Sequence, residues 1–66
     1  SDELNFALEC WGERVIARAL LCAEGLLHRQ LAVDTAWQAA EEAGLVDAFG
    51  PDEIQAAMAL AFGSAR

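Results

Sequence analysis

Apolar residues recur along the first part of this chain with the period of a helix, and they do so on two sides at once. Leu4, Leu8, Trp11, Val15, Ala19, Cys22 and Leu26 follow one another at spacings of four and three, which lines them up as a heptad-like seam. A second strip, Ile16, Leu20 and Leu27 with Leu31 beyond it, falls on a roughly opposite side. A surface helix normally carries one apolar stripe, and a helix that is apolar on two sides has to be covered on both. The rest of the chain must supply that cover, or something outside it must.

What the chain can supply is modest. Its 66 residues make one domain, residues 1–66, close to the lower limit of independent stability. Strand formers are confined to Val15, Ile16, Val33, Thr35, Val46, Ile54 and a few Phe and Trp, and no segment alternates apolar and polar over a strand length. The fold class is therefore all-α.

The first helix is expected from about Asp2 to about Gln30, with Asp2 and Glu3 at its start and His28 and Arg29 near its end, both suited to the macrodipole. Gly12 and Gly25 are its weak points, and Gly25 could split it. A second helix is expected over Thr35–Ala43, capped by Asp34 or Thr35, with Thr35 and Gln38 spaced as a capping box. Its apolar face is read as Ala36, Trp37, Ala40 and Ala43, and Gly44 followed by Leu45 fits a Schellman stop. The third begins at Pro51 after the Gly50 turn, with Asp52 and Glu53 in its first turn. Ile54, Ala57, Met58, Ala61 and Phe62 share one face, and Gly63 ends it. The expected architecture is a small helical bundle of one long, breakable helix plus two shorter ones.

Two short Ala-rich helices cannot cover both sides of a helix about 40 Å long. A second copy packed about a two-fold axis is the simplest cover, so a homodimer is expected, with Trp11, Ile16, Leu20, Leu27 and Leu31 as its interface. Trp11 reads equally well as core. Glu9, Glu13 and Glu24 line one flank of the helix and Arg14, Arg18 and Arg29 another, which an antiparallel or crossed partner could pair. The alternative is that Gly25 breaks the helix and the two strips fold onto each other as a four-helix monomer.

Charge removes whole classes of partner. Eleven Asp and Glu against four Arg and no Lys give a net charge of −7, too few cations to displace phosphate counterions, so neither nucleic acid nor an anionic membrane surface is expected. Glu13, Arg14, Arg18 and Glu24 interrupt the greasiest stretch, so no membrane span is expected. No basic segment followed by an apolar block reads as a secretory signal. Cys10 and Cys22 share the first helix about 18 Å apart, too far to bridge, and read as reduced thiols of a cytoplasmic protein.

No catalytic constellation is visible. Ser1 and Ser64 fall at the ends, where fraying is expected, and His28 is remote from Cys10. Glu24 and His28 have the spacing of half a metal site and no more, and Asp47, Asp52 and Glu53 lack the alternating ligands of a calcium loop. No cofactor is expected, and the chain reads as a non-enzyme. The leading functional expectation is an adaptor or regulator that homodimerises through an apolar helix face and presents a helical surface to another protein. The rival is an acidic inhibitor, of immunity type or mimicking nucleic acid, that blocks a basic cleft. A carrier of small apolar guests comes third, because so short a chain leaves little room for a pocket.

Overall fold

The computed structural model of the chain describes residues 2–63, and these form four helices: α1 (Asp2–Ala23), α2 (Arg29–Glu42), α3 (Leu45–Phe49) and α4 (Pro51–Gly63). Ser1 and Ser64 lie outside the described residues. Helix α1 has 22 residues, about 33 Å at 1.5 Å per residue, and sets the long axis of a molecule 36 × 17 × 17 Å in extent. Helices α2 and α4 pack along it, and α3 is a single turn that joins them.

The long first helix stops at Gly25. Its N–H donates to the Cys22 carbonyl at 3.0 Å, the Leu26 N–H donates to Leu21 at 2.9 Å, and Gly25 sits at φ +75°. That pair of bonds across a left-handed glycine is the Schellman motif, which satisfies the last carbonyls while reversing the chain. The seam beyond the break is lost: Leu26 is 71% exposed. The chain resumes as helix six residues earlier than Thr35. His28 is the N-cap residue, its carbonyl accepting from Ala32 N–H at 3.0 Å, with no side-chain cap. Thr35 and Asp34 therefore lie inside α2, where the Asp34 carboxylate accepts from Gln30 Nε2 at 3.0 Å instead of capping. Burial decides this. Ala32 is 1% exposed, so starting α2 at Arg29 adds a full turn to its core face.

Alanine makes that core face. Ala32, Ala36 and Ala40 are buried, at spacings of four, while Trp37 is half-buried and Ala43 exposed, so the face is rotated from the expected one. Opposite it α1 buries Trp11, Val15 and Ala19, with Leu4, Leu8 and Cys22 half-buried against the core. Where one helix of a pair presents only methyl groups, its partner can approach its backbone closely. Trp11 uses the space: its indole Nε1 donates to the Ala36 carbonyl at 2.8 Å. A backbone carbonyl has a second lone pair free for such a bond.

The remaining helices close the core as their glycines and Pro51 suggest. Gly44 is left-handed at φ +78° and Gly50 lies at φ +92°, both favouring glycine. Between them the unforeseen turn α3 places Leu45 fully inside. Helix α4 buries Ile54, Met58 and Phe62, with Ala57 and Ala61 half-buried beside them. Cys10 and Cys22 are free thiols on the one continuous helix α1. No described helix is long and apolar enough to cross a membrane.

Replacing Trp11 with Phe should remove the indole bond and leave the ring site under-filled. Stability is expected to fall by about 1–3 kcal/mol, read as a lower urea midpoint at an unchanged slope.

Candidate interaction surface

Helix α1 turns its second apolar strip to solvent. Ile16 is 54% exposed and Leu20 59%, and they stand beside α4, whose Leu60 is 75% exposed. Together they rim a groove of about 440 Å³ running along the α1–α4 seam. Its floor is small or flush: Gly12, Val15 and Ala19 from α1, Ala57 and Ala61 from α4, with Trp11 at one end. Branched side chains along the rim and small residues along the floor give a surface with both knobs and holes.

Of the residues expected at an interface, the structure brings Trp11, Ile16 and Leu20 to this groove. Trp11 itself is 6% exposed and belongs to the core. Leu31 is exposed on α2, away from the groove, and Leu27 packs partly against the core. Both were placed by extending the α1 register through Gly25, and the Schellman turn ends that register. Leu60 was missed. It is the one large apolar residue of α4 off the Ile54–Met58–Phe62 face, a signal that acquires meaning only once α4 lies beside α1.

A larger cleft, about 680 Å³, lies between α2 and α4. Val33 and Trp37 form one wall and Met58 and Phe62 the other, with Asp34, Gln38, Glu41 and Gln55 along its polar edge. There is thus more room at the surface of so short a chain than its length suggests. Arg29 closes one end. Its guanidinium lies 5.6 Å from the centre of the Phe62 ring, and Nη1 donates to the Phe62 carbonyl at 3.4 Å. Read as a cation for the end of the first helix, Arg29 instead opens α2 and serves the C-terminal end of α4, where the helix dipole also favours positive charge.

All eleven carboxylates are exposed, spread over α1, α2, α3, α4 and the α1–α2 turn rather than gathered on one face. Glu24 and His28 fall on either side of the Gly25 turn instead of on adjacent turns of one helix, which undoes the half-site reading of their spacing. Among the described residues no group of three His, Cys, Asp or Glu could hold a metal ion. Family models, curated proteins and solved structures were all compared with the chain, and none matches it.

Arg29→Ala should lower stability by about 0.5–1 kcal/mol by removing the stacked cation. Arg29→Lys should recover only part of this, since an ammonium lacks the planar stacking face. Thermal melts of the two variants check the order.

Proposed function

We propose that the chain is a non-enzymatic protein–protein interaction module, an adaptor or regulator that pairs with a second copy of itself through the α1–α4 groove. The single observation behind this reading is the placement of Ile16, Leu20 and Leu60. All three are more than half exposed around a floor of small residues. Water-exposed branched side chains at one place on so small a protein are favourable to bury.

A second copy suits the groove because the groove carries both projecting side chains and small-residue hollows. In an isologous pair each copy offers the same surface, so the Ile16, Leu20 and Leu60 knobs of one meet the Gly12, Ala57 and Ala61 hollows of the other. A standard interface covers about 800 Å² per partner, roughly a sixth of the 4593 Å² that the described residues expose. The unbridged thiols suit a reducing, cytoplasmic setting.

Salt separates this reading from its rival. Two copies at −7 each repel, so screening should strengthen an apolar self-association. An acidic inhibitor on a basic cleft would bind more weakly as salt rises. The scatter of carboxylates over the surface supports the first reading.

Leu20→Glu should abolish the dimer in sedimentation at micromolar concentration while helical circular dichroism persists. Val15→Glu should unfold the domain, because Val15 is 1% exposed and a buried unpaired carboxylate costs several kcal/mol. A Leu20 variant that melts out while the Val15 variant stays folded would reverse the two faces. Unfolding of both would leave no surface for a partner. A native chain sedimenting as one 7.1 kDa monomer would end the proposal.

A further inference from the structure

On the opposite side of α1 from the self-association groove, the α1–α2 seam holds a hollow of about 310 Å³ lined by two arginines and no acidic residue. Arg14 and Arg18 line it together with Phe6, Trp11, Ala39 and Ala43. Arg18 Nη1 is buried without a hydrogen-bond partner. In a chain with eleven acidic residues and four arginines, two cations in one hollow lined by no acid call for a counter-charge.

Local sequence withholds that counter-charge. Arg14 and Arg18 are four residues apart, a like-charge spacing that destabilises a helix. The other positions three and four residues from either of them are Cys10, Trp11, Val15, Ala17, Leu21 and Cys22, none of them acidic. A buried guanidinium N–H left unsatisfied is costly, and a bidentate oxyanion is the group that matches its geometry best. We infer that the Arg14–Arg18 hollow binds a carboxylate carried on a short apolar stem, the oxygens bridging the two guanidiniums and the stem lying against Phe6 and the alanines of α2. Its volume is at the small end of ligand sites. The apolar lining favours such a stem over inorganic phosphate, and the net charge of −7 disfavours a multiply charged anion.

The shared chemistry is a monocarboxylate, whether a free organic acid or the C-terminal carboxylate of a peptide, and the test distinguishes the two. Phenylacetate, phenylacetamide, inorganic phosphate and N-acetyl-alanyl-phenylalanine are titrated into ¹⁵N-labelled protein, following Arg18 Nε–Hε and the Trp11 indole. Phenylacetate should give saturable shifts that phenylacetamide does not. Its affinity should fall by about tenfold or more in Arg18→Gln, the loss of one charge-assisted pair. It should fall likewise in Arg14→Gln, whose exposed position keeps the fold safe from the change, and stay unaltered in Arg29→Gln. Tighter binding of the dipeptide acid assigns the site to chain termini, and tighter binding of phenylacetate to free acids. Equal response to the amide, preference for phosphate, or indifference to both Arg14→Gln and Arg18→Gln overturns the assignment.

Discussion

The structure depends on how closely α1 can approach α2. Ala32, Ala36 and Ala40 present no side chain beyond a methyl, and that lets the Trp11 indole reach the Ala36 carbonyl at 2.8 Å. One contact thereby fixes the register of two helices 25 residues apart in sequence. It also satisfies the only polar atom on the largest buried side chain of α1. Val15 and Ala19 are buried further along α1, on the side turned toward α4. Helix α4 is left to pack along the remaining side of α1, and that leaves the Ile16–Leu20 strip beside α4 rather than under it.

The same choice of small residues keeps the core thin. Its largest fully buried side chains are Leu45, Ile54 and Val15, and several other members are alanines. A domain of this length has little surplus stability to draw on. Meanwhile Phe6, Ile16, Leu20, Leu21, Leu26, Leu31 and Leu60 remain exposed. Apolar bulk has been moved from the inside to the outside, and an association that buries part of it stabilises the folded chain by mass action. Folding and self-association are on this account two uses of one helix, the seam facing inward and the strip facing the partner.

Much of this was legible in the sequence because helical periodicity reports faces directly. Val15 and Ala19 read as inward and Ile16 and Leu20 as outward, Trp11 reads equally as interface or core and proves to be core, and Gly44, Gly50 and Pro51 mark their turns. The errors have one source, which is that local signals compete. Gly25 reads as a tolerated helix glycine or as a terminator, and only the positive φ and the pair of bonds at the turn decide between them. Thr35 and Gln38 form a plausible cap, yet burying Ala32 favours an earlier start. Once the first helix was carried past Gly25, Leu27 and Leu31 joined a strip to which they do not belong. Leu60 could not be assigned from its own helix at all, since its role comes from the α1–α4 pairing. Nor could Arg18 Nη1, which is buried without a hydrogen-bond partner.

The central claim is that the α1–α4 groove meets its own copy. An isotope-filtered nuclear Overhauser experiment on an equal mixture of ¹³C-labelled and unlabelled chains tests this most directly, because it detects contacts between copies alone. Intermolecular contacts joining the Ile16, Leu20 and Leu60 methyl groups to one another and to the Ala57 and Ala61 methyls are the expected result. Intermolecular contacts confined to Phe6, Leu21 or Leu31, or none at concentrations where the labelled chain gives a full intramolecular set, would contradict it.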